Sequence, residues 1–300
     1  MVLVLGATGK QGGAVARALL SRSRGSRSRG VRAMVRDPAS AAAKALAASG
    51  VAVVPGDLGD AAALRSAMIG ADGVFSMQPN SGDPTSGITD AEEVRIGRLV
   101  ADSAVEAGVT HLVYSSASVI SRGPTGIANL DCKLEIEDHV RSLAIPTTIV
   151  RPATFMELLA QPAFWSDADE LVFFTSPDQP VELIAAQDIG TIVAAVLADR
   201  DRFAGLSIDI AGEELAGADI GSAISRALGR PISYRRFPDA LLKQQPALDR
   251  TVRMFASGVA AGNADIAALS REFGPLTGLD AWLAGSGHAL IRSAARGTKT

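Results

Sequence analysis

Residues 2–20, VLVLGATGKQGGAVARALL, decide the class of fold. Residues 2–5 form an uninterrupted apolar run, as in a strand buried on both faces, and residues 11–20 place Val15, Leu19 and Leu20 on one side of a helix. Between them stand Gly6, Gly9 and Gly12. Gly6 permits a tight turn, Gly9 lets the backbone approach a phosphate, and Gly12 lets the helix pack closely on the strand, with helix-end amides facing the anion. The stretch therefore reads as a pyrophosphate-binding loop, with Thr8, Lys10 and Gln11 among its contact residues and Lys10 as an added cation.

Working outward, short apolar runs alternate with alanine-rich segments at helical spacing, the pattern of repeated βαβ units. Strands are expected at residues 2–5, 31–35, 51–54, 73–77, 111–115 and 147–150. Helices are expected at 11–20, 40–48, 61–69, 91–107 and 130–143. Asp37 followed by Pro38 reads as an N-cap with proline at the first helical position, and Asp60 as a second N-cap. After Pro152 the alternation fades, with helices expected at 189–198, 218–228, 238–242 and 279–283. The fold class is α/β: a Rossmann-type, doubly wound parallel sheet over residues 1–152, then a smaller α+β lobe over 153–300, with interleaved segments allowed. The basic stretch 21–30, SRSRGSRSRG, reads as a solvated loop, and residues 287–300 as a frayed tail.

The 300 residues are 47% hydrophobic and carry a formal net charge of -3. That balance argues against nucleic acid or an anionic membrane as partner and favours a small ligand. The single cysteine, Cys132, allows no disulfide framework and has no zinc-ligand spacing around it, so no metal is expected. No secretory leader or 20-residue apolar span is read, and the expected location is the cytoplasm.

Dinucleotide sites that take NAD place an acidic side chain after the second strand, where it grips the ribose 2′-hydroxyl. This chain has Arg36 there. A guanidinium suits a 2′-phosphate, so NADP(H) is expected over NAD(H). The alternative makes Arg36 a solvated charge and gives the ribose to Asp37. After the third strand, Asp57 and Leu58 are placed at the adenine edge, with Asp57 equally readable as a turn residue. Met77, Gln78 and Pro79, after the fourth strand, are placed beside the nicotinamide-side ribose and phosphates.

On GATGKQGGAVARALL from Gly6, VRAMVRDP from Val31, GDLGD from Gly56, HLVYSSA from His111, NLDCKLEIEDHVR around Lys133 and IVRPATFMELL from Ile149, the chain resembles the NmrA-like group of atypical short-chain dehydrogenase/reductases. That group includes NADP(H)-sensing regulators and quinone reductases. The resemblance spans nearly the whole chain. It implies a bilobal fold with a cleft, the 2′-phosphate cation at Arg36, a cleft lysine at Lys133 that holds the nicotinamide ribose or acts in catalysis, and Pro152, Ala153 and Thr154 along the nicotinamide.

The ordinary short-chain enzymes carry a tyrosine four residues before that lysine, as the acid or base at the substrate oxygen. Position 129 here is Asn129. Tyr114 lies within a strand and reads as packing. Ser115 and Ser116 stand at that strand's end, where Ser116 is a weak candidate for a direct role. Loss of the phenol excludes the standard alcohol-dehydrogenase arrangement, whereas quinone and enone reduction can use solvent protons. Phe155, Met156, Phe164 and Trp165 read either as walls for a small apolar conjugated substrate or as core. His111, His139 and His288 form no dyad, and Glu135 and Glu137 read as a charged helix face. Two functions follow: an NADP(H) sensor read by a regulatory protein partner, or an NADPH-dependent reductase of a quinone or other conjugated carbonyl. The alanine-rich surface of residues 91–107 reads either as a contact in an oligomer or as a face buried on its own sheet.

Overall fold

The computed structural model describes residues 1–23, 30–83, 85–258 and 262–297. In chain order the elements are β1 (Val2–Val4), α1 (Lys10–Ser23), β2 (Val31–Val35), α2 (Ala41–Ala48), β3 (Ala52–Pro55), α3 (Ala61–Met68), β4 (Gly73–Ser76), α4 (Asp90–Glu106), β5 (His111–Ser115), α5 (Ala128–Ser142) and β6 (Thr147–Pro152). They continue as β7 (Thr154–Phe155), β8 (Trp165–Asp167), β9 (Glu170–Phe173), β10 (Pro180–Ile184), α6 (Ala186–Ala198), α7 (Arg200–Phe203), β11 (Ser207–Ile210), β12 (Glu213–Ala216), α8 (Gly217–Leu228) and β13 (Ser233–Arg236). The last helices are α9 (Asp239–Gln244), α10 (Pro246–Ala256), α11 (Ile266–Phe273), α12 (Leu279–Ala284) and α13 (Ser286–Gly297).

Two compact units result, one of residues 1–117, 128–151 and 187–208, the other of 118–127, 152–186 and 209–300. The first unit is built on a seven-stranded parallel sheet of order β11-β6-β5-β4-β1-β2-β3. Val2 pairs with both Val31 and Gly73, so β1 is an inner strand. Strand order reverses between β1 and β4, which opens a crevice at the carboxyl ends of those strands. Side chains alternate across a strand, and Leu3 and Leu5 face a core cluster with Leu64 and Met68 of α3, Ile96 and Val100 of α4, and Ile136 and Val140 of α5. Each such fully buried apolar side chain contributes roughly 1.5–3 kcal/mol. Helices α1 and α6 pack together so closely that a Cβ at Gly190 would reach the backbone of Ala14.

The second unit holds two three-stranded sheets, β12-β10-β7 and β13-β9-β8. Its core contains Phe164, Phe173, Phe174, Phe237 and Phe255, with Phe174 stacked on Phe255 at a centroid distance of 5.3 Å. Glu157 accepts from the Ala186 amide at 3.2 Å and from Trp282 Nε1 at 3.3 Å.

Several expectations need revision. The N-cap of α2 is Ser40, whose hydroxyl accepts from the Ala43 amide at 3.3 Å, while Asp37 Oδ1 accepts from the Ala39 amide at 2.8 Å in a turn before the helix. Asp60 does cap α3, accepting from Ala62 and Ala63. The expected frayed tail is α13 as far as Gly297, held by Ile291, Ala294 and Ala295, which are buried at helical spacing. Strand β11 and helices α10 and α11 were not anticipated. Residues 24–29 of the basic stretch, and 298–300, lie outside the described residues. Among the described residues no helix is long and apolar enough to cross a membrane, and no group of three or more His, Cys, Asp or Glu side chains is placed to hold a metal ion.

Candidate functional site

The glycine loop leaves β1 at the sheet's reversal point. Gly6 has φ +66°, and the Gly9 amide donates to its carbonyl at 2.9 Å, closing the turn. A Cβ at Gly6 would lie 2.9 Å from Met77 Cγ, so the residue after β4 rests directly on the loop. A Cβ at Gly12 would stand 2.8 Å from the Ala7 amide nitrogen and closer still to the Gly6 carbonyl, so only glycine lets α1 begin this near the strand. The first bond within α1 runs from the Gly13 amide to Gly9, which leaves the amides of Lys10, Gln11 and Gly12 without acceptors inside the helix. Thr8, Gly9 and Lys10 are exposed beside them. That arrangement suits a phosphate. The Gln11 side chain is committed elsewhere: buried, it donates to Ser115 Oγ at 2.5 Å and ties α1 to the end of β5.

Arg36 follows β2, is exposed, and makes no ion pair or side-chain hydrogen bond among the described residues. Asp57 Oδ1 accepts from the Gly59 amide at 2.7 Å, a turn contact, and Leu58 packs against the core cluster. Past β4, Gln78 is buried and donates to Ser76 Oγ at 3.0 Å, while Met77 and Pro79 are half-buried.

Lys133 projects from α5 toward α4. Its Nζ lies 2.5 Å from Glu93 Oε1, with the side chains 12% and 3% exposed. The other oxygen of Glu93 accepts from the Ser81 amide at 2.7 Å. One turn before Lys133, Asn129 presses on the same loop: a Cβ at Gly82 would lie 3.1 Å from Asn129 Cγ. Glu93 was missed by reading the sequence, although it shares a heptad face with Ile96, Gly97 and Val100.

Below this pair, Glu137 is fully buried, in contrast to the charged face expected of it; Glu135, exposed and 3.4 Å from Arg98, fits that expectation. Arg151 holds Glu137 through Nε at 2.9 Å and Nη2 at 2.6 Å, and Arg141 adds a contact at 2.5 Å. Burial pushes the Glu137 carboxyl up, but the Arg151 bonds, the nearby Ser116 hydroxyl and the two guanidinium charges bring it below its ordinary value. Ser116 Oγ, buried, falls short of a hydrogen bond of ordinary geometry.

The remaining protic groups are structural. Burial, then the charges of Glu93 and Glu137, holds the Tyr114 phenol well above its usual range inside the core. Burial also pushes the Cys132 thiol up to about 11, which removes it as a thiolate at neutral pH. His111 Nε2 meets Thr148 Oγ1 at 2.9 Å, His139 meets Asp102 at 2.7 Å, and His288 lies in α13. In the second unit Pro152 and Ala153 are buried, and Thr154 pairs with Leu183. Met156, Phe164 and Trp165 are buried there, with Trp165 Nε1 bonded to the Leu159 carbonyl at 2.9 Å, and Phe155 is half-buried.

The model of the NmrA-like family matches residues 1–273. The chain belongs to the NmrA-like family. This NmrA-like protein is 30% identical over 259 residues to the NmrA-like family domain-containing oxidoreductase cpsB of Aspergillus campestris, covering 79% of this chain and 75% of that one. It is 32% identical over 235 residues to the (4-alkanoyl-5-oxo-2,5-dihydrofuran-3-yl)methyl phosphate reductase of Streptomyces griseus, covering 78% of this chain and 76% of that one. Other oxidoreductases of the family are matched over less of their length, as himF of Aspergillus japonicus is over 49%. Among solved structures, the negative transcriptional regulator NmrA in complex with NAD superposes with a TM-score of 0.78 at 20% identity, covering 97% of each chain. The same regulator has been solved with NADP.

Proposed function

We propose that this NmrA-like protein binds NADP(H) at the carboxyl edge of its parallel sheet and is a reductase of a conjugated carbonyl acceptor. The observation that carries the reading is the cradle of Gly6, Gly9 and Gly12, backed by α1 amides and followed, at the end of β2, by an exposed Arg36 that has no ion pair among the described residues. A pyrophosphate fits there because any larger residue at Gly12 would drive the helix off the loop. An exposed guanidinium at Arg36 suits a 2′-phosphate, which it would hold by charge-assisted hydrogen bonds, whereas Asp37 already spends an oxygen on its own turn. Bound NADPH supplies the hydride. Within the chain, Lys133 is the donor assigned to the nicotinamide-side ribose, and Ser116 has at most a minor share. With Asn129 where a phenol would stand, the proton comes from solvent, which suits an acceptor whose reduced form is a stabilised anion. The relatives support this direction, since those named above are oxidoreductases or reductases.

A second reading, an NADP(H) sensor coupled to a protein partner, is favoured by Asn129 itself and by the likeness to a transcriptional regulator. Calorimetric titration with NADPH and NADH, for the native protein and Arg36→Ala, tests the cofactor. Selective NADPH binding that falls at least about tenfold in the variant, about 1.4 kcal/mol, is expected. Equal affinity for NADH defeats the 2′-phosphate assignment. NADPH consumption with a panel of quinones and enones then separates the readings: tight binding without turnover favours the sensor.

A further inference from the structure

We propose that Glu93 is a positioning residue of the cofactor site, fixing Lys133 and the loop after β4 as one piece in place of the missing phenol. The inference rests on the reading that Lys133 binds the nicotinamide half of the cofactor. Glu93 is an acidic side chain on the buried face of α4, where an unpaired carboxylate would be costly. Both of its oxygens are used. One takes the Lys133 ammonium from α5 at 2.5 Å, and the other takes the Ser81 amide at 2.7 Å. The loop touches α5 a second time, where a Cβ at Gly82 would overlap the Asn129 side chain. Ser81 lies four residues beyond Met77, which itself lies on Gly6. A chain of contacts thus runs from the phosphate loop through residues 77–82 to Glu93 and Lys133.

In this arrangement the carboxylate does not touch the ligand. It orients one N–H of Lys133 away, leaving the other two to a ribose, and it cancels the lysine charge. A glutamine at 93 cannot replace it, because its oxygen satisfies one donor while its NH2 group opposes the other. An aspartate keeps the charge but is one methylene short.

The test is cofactor affinity measured by calorimetry, with NADPH set against 2′,5′-ADP, which holds the adenosine half alone. Glu93→Gln is expected to weaken NADPH about tenfold and leave 2′,5′-ADP within about twofold, with Glu93→Asp recovering part of the loss. Lys133→Met strands a buried carboxylate, so the double variant Glu93→Gln/Lys133→Met, which carries neither charge, completes the comparison; it should lose about tenfold, not a hundredfold, because Glu93 acts through Lys133. Equal weakening of NADPH and 2′,5′-ADP, losses that multiply in the double variant, or an NADPH affinity unchanged in Glu93→Gln would each overturn the assignment. Native protein that binds neither ligand removes the cofactor reading, and the inference with it. Native protein that binds NADPH while Glu93→Gln is silent removes only the inference.

Discussion

Arg151, at the end of β6, holds the fully buried carboxylate of Glu137 on α5 by two parallel bonds of 2.9 and 2.6 Å. This fork joins a strand end to the helix that carries Lys133. Arg151→Met should destabilise the fold by about 3 kcal/mol, because it leaves the charge buried with Arg141 alone. The pH dependence has a definite sign. Glu137 has a lowered value in the native fold, so its stabilisation is present above the ordinary carboxylate range and is lost as pH falls through the native value. The difference between native and variant proteins in urea denaturation should therefore be largest at neutral pH and shrink on acidification. A gap that stays constant down to pH 3 would contradict the role given to the charge.

His111 contributes in the same direction for a different reason. Burial, and after it the charge of Arg200, lowers its pKa from 6.5 to about 4. The native fold keeps the imidazole neutral, while the unfolded chain takes up a proton below 6.5. Its contribution to stability is thus unchanged above pH 6.5 and declines between 6.5 and 4, by roughly 3 kcal/mol. His111→Gln removes the titration and should flatten that part of the stability profile. An identical slope in the variant would mean that other groups govern acid unfolding.

What could be read from the sequence follows the range of the interactions. The glycine loop is local: strand, turn and helix lie within residues 2–23, and the requirement for glycine at position 12 comes from the Gly6 carbonyl only six residues away. The core β-α alternation was legible for the same reason. The Glu93 pair was not, because it joins residues forty apart, and an acid in the first turn of a helix reads naturally as a favourable partner of the helix dipole. Glu137 was hidden likewise, its partner Arg151 lying on the next strand. The tail misled in the opposite sense. Residues 287–300 read as a frayed end, yet a Cβ at Gly287 would strike the ring of Trp282, so that glycine marks close packing. Asp37 and Pro38 gave a plausible cap by local rules, and Ser40 won because Asp37 had already bonded the Ala39 amide.

Gly12→Ala probes the phosphate cradle with one methyl group. The new Cβ would meet the Gly6–Ala7 peptide group, at both its carbonyl and its amide nitrogen, and backbone cannot rotate away as a side chain can. A cost of about 1–3 kcal/mol to stability is expected from overpacking. Displacement of α1 from the loop should also weaken NADPH by at least about tenfold, on the scale of 1.4 kcal/mol. Thermal melting and calorimetry measure the two effects separately. A variant that is stable and binds normally would show that the loop and helix do not form the anion site.

Asn129→Tyr asks whether the ordinary short-chain chemistry is one substitution away. The contact of Asn129 with the loop after β4 argues that it is not. Asn129 lies against Gly82, its Cγ 3.1 Å from where a Cβ on that glycine would stand, and Gly82 adjoins Ser81, whose amide is bonded to Glu93. A phenol at 129 that follows the course of the asparagine side chain displaces residues 80–82, and the Ser81 bond with them, at an overpacking cost of about 1–3 kcal/mol. The variant should melt lower than the native protein and gain no oxidation of simple secondary alcohols with NADP+, since a phenol that pushes the loop aside cannot be held at bonding distance from a substrate oxygen. Exchange of the Ser81 amide with deuterium, followed in the ligand-free protein, should quicken in the variant. Alcohol oxidation appearing together with native stability would mean that the loop yields without cost, and that Asn129 alone had kept the site from acid-base catalysis.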